Sequence, residues 1–131
     1  MKLFLQIEID RWHQESFGSQ MLRYASSLSS DLMGTDLDSQ SDPIIADMVV
    51  RMIRQADSVF LLVKSSDPNT PPGSVQQVFN TLHELENKVS VAVLCGDHRT
   101  TEKSLMHFEQ RFIKESDPAR IREMILAFSQ K

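Results

Sequence analysis

The chain has 131 residues, 40% hydrophobic and 24% charged: enough apolar content for one packed core and too much for a disordered chain. Its 14 Lys+Arg against 18 Asp+Glu leave a formal charge of -4, the opposite of the basic footprint of a phosphate-coating nucleic-acid binder. One cysteine excludes an internal disulfide and a four-cysteine zinc site. The apolar runs are strand-sized, far short of the ~20 residues that cross a bilayer. Met1-Lys2 leads into alternating Leu and Ile without the apolar region of a signal peptide. The expectation is a cytoplasmic, single α/β domain over 1–131, with no membrane and no nucleic acid among its partners.

In chain order, Lys2 to Asp10 alternates Leu3, Leu5, Ile7 and Ile9 with Phe4, Gln6 and Glu8. This predicts a strand over 2–10, at or near a sheet edge because its second face is polar. From His13 to Met33, the residues Phe17, Met21, Tyr24, Ala25, Leu28 and Leu32 recur at helical spacing and predict one long helix ending near Gly34. GTDLDSQSD (34–42) reads as a polar loop. Asp42-Pro43 then marks a helix start, with Asp as N-cap and Pro at the first position. Ile44, Ile45, Met48, Val49, Met52 and Ile53 carry that helix to about Ala56. The run SVFLLV predicts a strand over 58–64, buried on both faces.

KSSDPNTPPG (64–73), with three prolines and a glycine, is a loop. Ser74 and Gln77 form a capping-box pattern opening a helix whose stripe is Val75, Val78, Phe79, Leu82 and Leu85. VSVAVLC predicts a third strand over 89–95. A helix with Leu105, Phe108, Phe112 and Ile113 inward follows, and Asp117-Pro118 opens a last one using Ile121, Met124, Ile125 and Phe128. The order β-α-α-β-α-β-α-α predicts a flavodoxin-like α/β fold in two or three layers: a parallel sheet of about three strands with about five helices.

Ligands of open parallel sheets bind beyond the carboxyl ends of the strands. Those ends supply the candidate catalytic residues Asp10, His13, Asp67, Cys95, Asp97 and His98, the acids as base or nucleophile and the histidines as acid–base partners. Ser65, Ser66, Gly73, Ser74, Gly96 and Arg99 are the candidate ligand-binding residues. The plainer reading is that strand ends are exposed and therefore polar. Cys95 precedes a short loop and a helix, with Arg99 close by, an arrangement that favours a thiolate. A thiol-phosphatase loop, however, needs arginine six positions on, where Thr101 stands, and parity with Val91 and Val93 points Cys95 into the core.

Asp10, His13, Asp97 and His98 are zinc-type donors, but none are paired at i, i+4, and His83-Glu84 is followed by Asn87 where a zinc-protease helix needs histidine. No metal and no cofactor is expected. Thr70 to Ser74 (TPPGS) offers backbone N–H groups and a hydroxyl to an anion, without the Gly-Lys-Ser/Thr ending of a P-loop; Ser74 as an ordinary N-cap is the plainer reading. Glu8, Asp10 and Asp67 sit as the acids of a receiver domain sit, but three strands cannot supply the five-stranded sheet of that fold.

The stretch Ile44 to Val63 (IIADMVVRMIRQADSVFLLV) combines an amphipathic helix, Ala-Asp and a hydrophobic strand. It resembles the corresponding piece of nucleoside 2-deoxyribosyltransferase-like proteins and of TIR-type domains, over about residues 44–86. The resemblance implies a loop and helix lining a nucleoside site with a glutamate nucleophile. This chain departs there: the helix opens Val75-Gln76-Gln77, with no carboxyl group until Glu84, and a glutamine cannot form the glycosyl ester. Such a relative would be inactive or repurposed.

Two functions follow. One is a non-catalytic binding or protein-interaction module, a homodimer or a hetero-partner's subunit, whose trimmed sheet and helical methionines Met48, Met52, Met106 and Met124 await a covering surface. The other is a small nucleotide- or nucleoside-processing enzyme, of transferase or glycohydrolase type, that uses the strand-end cluster on a nucleotide-like ligand; Trp12 is available to stack on the base, its plainer role being to cap the core.

Overall fold

The computed structural model describes residues 1–9, 17–39, 41–65 and 70–131, the side chains of 17–19 excepted. Five strands, β1 (Lys2–Ile9), β2 (Leu32–Asp38), β3 (Ser58–Ser65), β4 (Val89–Gly96) and β5 (Phe112–Lys114), form one parallel sheet in the order β2-β1-β3-β4-β5. The helices are α1 (Phe17–Leu28), α2 (Pro43–Gln55), α3 (Val75–Glu84), α4 (Arg99–Leu105) and α5 (Pro118–Ser129). The α/β class and parallel sheet agree with expectation, and the strand order is that of flavodoxin-like doubly wound sheets.

The strand count corrects the three expected from sequence. The helix that opens the chain's second element stops at Leu28; a turn follows, and Leu32 and Met33 begin β2, which runs in register with β1 from Lys2↔Leu32 to Glu8↔Asp38. The expected helix through Phe108 and Phe112 also divides. It ends at Leu105, tightens into a 3-10 turn over Met106–Arg111 with Glu109 at φ 54°, and leaves as β5. Arg111 holds this reversal, donating from Nη1 to the carbonyls of Glu86 (2.7 Å) and Val89 (2.9 Å).

Two caps appear where the motifs placed them. The Asp42 carboxyl accepts from the Ile44 N–H at 2.9 Å and that of Asp117 from the Ala119 N–H at 3.0 Å, each just before a proline at the first helical turn. The third fails: Ser74 makes no side-chain cap, its hydroxyl donates to the Ser41 carbonyl at 2.8 Å, and Gln77 reaches across to Asp47.

Alternation along the strands splits the core in two. Leu3, Leu5, Ile7 and Ile9, with Leu61, Val63 and Leu94, face α2, α3 and Leu105 of α4. Phe4, Phe60, Leu62, Val93 and Cys95 face Met21 and Ala25 of α1 and Ile121, Ile125 and Phe128 of α5. Three layers result. β1 is paired on both sides and buried on both faces, so its polar alternate residues do not mark an uncovered strand. With helices on both faces of a five-stranded sheet, missing strands no longer argue for a partner. No described helix is long and apolar enough to cross a membrane.

Candidate functional site

The strand order reverses at β1: the chain places β2 on one side of it and then crosses to lay β3 on the other. Loops on either side of such a reversal diverge, which opens the crevice where doubly wound sheets take ligands. At this end of the sheet, register partners are Asp38, Glu8, Lys64 and Cys95, one on each of β2, β1, β3 and β4. Neighbouring parallel strands lie ~4.8 Å apart with paired side chains on the same face. Two carboxyl groups, an amine and a thiol therefore form a single row on the α1/α5 side.

Glu8 is buried, only 7% exposed, and accepts a hydrogen bond of 3.2 Å from Nε2 of Gln6, itself 1% exposed. Carboxyl groups reach such depth only with polar company. Glu8, Asp38 and Lys64 all take part in further polar interactions. The Gln6 Oε1 atom, directly below the row, is buried with no hydrogen-bond partner among the described residues. Cys95 closes the row. Burial pushes its thiol up, and the Ser116 hydrogen bond and the charge of Lys64 pull down without overcoming it. At neutral pH Cys95 is a thiol, not a thiolate nucleophile.

The opposite side of this edge is a set of loops tied to one another. Gly96 has φ +98° and lies so close to β3 that a Cβ there would stand 2.1 Å from the Ser65 carbonyl oxygen. Gly73 has φ +59°, and its Cβ would stand 2.3 Å from the Ser39 carbonyl oxygen. Both positions need glycine for close backbone approach. Ser74 joins the same contact through Ser41. Ser65 ends β3 as a buried residue paired in register with Ile9.

His98 is 3% exposed and caps α4: its Nδ1 accepts from the Thr101 N–H at 3.2 Å, with the Thr101 hydroxyl at 2.8 Å. That leaves the hydrogen on Nε2, which donates to the Thr70 carbonyl at 2.7 Å and ties the loop before α3 to the loop after β4. Asp97 and Arg99 are exposed beside it, and Asp97 pairs with Lys114 at 3.4 Å.

The expected cluster is thus divided. Cys95 stands in the row; Gly73, Ser74, Gly96 and His98 make the loop scaffold; Asp97 and Arg99 lie out at the α4 corner. Asp10, Trp12, His13, Ser66 and Asp67 lie outside the described residues. In the sequence, Gln6 and Glu8 stand out only as polar residues alternating with apolar ones, and Lys64 only as the start of a proline-rich loop. Their signal was a polar alternate face confined to the carboxyl half of an otherwise apolar strand. No group of three or more metal-binding side chains occurs among the described residues. Five strands also remove the strand-count objection to a receiver domain. Yet Lys114, the lysine ending β5, pairs with Asp97 and Glu102 (3.4 Å each) on the α4 side of the sheet, on the face opposite Glu8.

No protein-family model matches the chain, and no curated protein matches it. Among solved structures, the chain is similar to the type B ribose 5-phosphate isomerase of Trypanosoma brucei at 23% identity and a TM-score of 0.41, over 100% of this chain and 87% of that one. The resemblance of residues 44–86 to deoxyribosyltransferase-like and TIR-type domains gains no support from these comparisons.

Proposed function

We propose that the protein binds a small, polar, nucleotide- or sugar-phosphate-like ligand in the crevice between the ends of β1 and β3. The observation that carries this reading is the register row: Glu8 and Lys64 face the same side of the sheet on the two strands that flank the reversal of strand order. In this reading Lys64 donates to an anionic group of the ligand and Glu8 accepts from its hydroxyl or amino groups. The Gln6 amide fixes the Glu8 carboxyl from below, so the ligand meets an oriented acceptor.

An enzymatic form of the same reading is favoured by the burial of Glu8. A carboxyl group held by an amide within one strand spacing of an amine is the arrangement that moves a proton on a bound substrate. Cys95, kept as a thiol, packs beside the pair and takes no covalent step.

The test is a thermal-shift screen of nucleosides, nucleotides and sugar phosphates, followed by calorimetric titration of any hit against wild type, Lys64→Met and Glu8→Gln. A ligand held at 100 times its Kd stabilises by about 2.7 kcal/mol, which for a chain of this size raises Tm by roughly 10 °C. Lys64→Met is expected to weaken binding of the anionic hit by at least about tenfold. A flat screen, or a hit bound equally well by both variants, refutes the site.

A further inference from the structure

Two histidines far apart in sequence meet at the end of α3. His83, in the last turn of α3, and His107, in the 3-10 turn after α4, have ring centroids 4.9 Å apart. The buried Phe108 ring backs both, at 5.7 Å from His83 and 5.8 Å from His107. His83 is half-buried and His107 exposed, so the pair is open to solvent. The second imidazole that helical spacing denies to His83 thus arrives from another element.

An oxygen acceptor fixes the hydrogen of each ring. His83 Nε2 stands 3.0 Å from the Ser104 carbonyl oxygen and His107 Nε2 2.8 Å from the Glu86 carboxylate. Neither oxygen can donate, so in the neutral ring each Nε2 carries the hydrogen and each Nδ1 keeps its lone pair. Neither Nδ1 has a hydrogen-bond partner among the described residues. An acceptor on the far nitrogen is what sets the tautomer and orientation of a metal-ligating histidine. The spacing agrees. An ion ~2.0–2.1 Å from Nδ1, in line with the ring, lies ~3.2 Å from the centroid, so two such rings stand ~4.5 Å apart at a right angle and ~5.2 Å apart at the tetrahedral angle. The observed 4.9 Å falls between these. The Glu86 carboxylate offsets the guanidinium of Arg111, which is bound to the Glu86 and Val89 carbonyls.

We propose that His83 and His107 form a two-imidazole site for a divalent transition ion of the Zn²⁺ type, bound through both Nδ1 atoms and oriented by Ser104 and Glu86. Imidazole donors select Zn²⁺, Ni²⁺ or Cu²⁺ over the oxygen-seeking Mg²⁺ and Ca²⁺. Two protein ligands are fewer than the three of a catalytic zinc centre, so water or an external ligand completes the shell and the ion binds reversibly. Once bound, it clamps α3 to the turn in which Glu109 takes φ 54°, and stabilises the folded chain according to its occupancy. The site lies where α3 leads into β4 and the 3-10 turn into β5, at the end of the sheet opposite Glu8 and Lys64.

Calorimetric titration of the full chain with Zn²⁺ tests this, with Mg²⁺ as the control ion and circular dichroism confirming the fold of each variant. Wild type is expected to bind one Zn²⁺ with a Kd below about 100 μM and to give no response to Mg²⁺. His83→Gln and His107→Gln are each expected to weaken Zn²⁺ binding by at least about tenfold. Proton–nitrogen correlation spectra of the imidazoles are expected to show Zn²⁺ shifting Nδ1 of both His83 and His107 while both Nε2 atoms stay protonated. Wild-type binding weaker than about 100 μM, a loss confined to one of the two variants, or coordination through Nε2 overturns the inference.

Discussion

Replacing Gly96 by alanine tests the backbone packing that frames the site. The residue has φ +98°, and the added Cβ would stand 2.1 Å from the Ser65 carbonyl oxygen, where the nearest atoms belong to the neighbouring strand's main chain. Holding a residue with a side chain in that conformation costs about 1–3 kcal/mol. Relieving the contact means parting the ends of β3 and β4, an overpacking term of about another 1–3 kcal/mol. The sum centres on ~4 kcal/mol, against a total stability of roughly 7–20 kcal/mol for a chain of this length at the usual value per residue. Gly34→Ala is the control. Its Cβ meets Leu22 Cδ1 at 2.6 Å and Ser26 Oγ at 2.8 Å, both ends of rotatable side chains on a helix surface. Those can turn aside, so the change is expected to stay within about 1 kcal/mol of wild type. Urea titration followed by circular dichroism measures both. A Gly96→Ala loss under about 1 kcal/mol, or a Gly34→Ala loss as large as that of Gly96→Ala, refutes the reasoning.

His98→Ala removes the α4 cap and the tie to Thr70 together, and is expected to cost about 1–3 kcal/mol and to speed amide exchange through Arg99–Leu105. Unchanged exchange there would show that the ring is not holding the loops. Cys95 predicts an alkaline limb in the stability curve. Its folded pKa lies above the ordinary thiol value of 9.0 through burial, so above pH 9 the unfolded chain binds fewer protons than the folded one and stability falls as pH rises. Cys95→Ala should flatten that limb in denaturant titrations between pH 8 and about pH 10.5; an identical slope in both proteins would place the titration elsewhere.

The strands visible in the sequence were those whose side chains do the packing. β1 buries seven of its eight residues, β3 six of eight and β4 five of eight, and their apolar runs show it. The missed strands lie at the two edges. In β2 only Leu32 and Leu37 are buried, and they face opposite layers, so neither a period of two nor an apolar run survives. Leu32 also falls four residues after Leu28, which extends a helical pattern past the point where the helix ends. β5 has three residues, and its Ile113 is exposed. What makes these segments strands is main-chain pairing to a neighbour already in place, and side-chain periodicity carries no record of that. Helix boundaries fared better where a side chain closes them, as at Asp42 and Asp117.

The site was less legible for a related reason: register is a property of two strands. Gln6 and Glu8 look in isolation like the wet face of an edge strand. Beside β3 they become a buried amide–carboxyl pair next to Lys64, and beside β4 that lysine meets Cys95. Polar residues that cost stability in a core face remain where their geometry has a use or where the network satisfies itself. Here the network is not wholly satisfied, since the Gln6 oxygen has no donor among the described residues. An acceptor buried beneath Glu8 and Lys64 at a reversal of strand order is the reason to look for a ligand at this end of the sheet, and not among the tied loops around Gly73, Gly96 and His98. Those loops are expected to respond to substitution through stability, whereas Glu8 and Lys64 are expected to respond through binding.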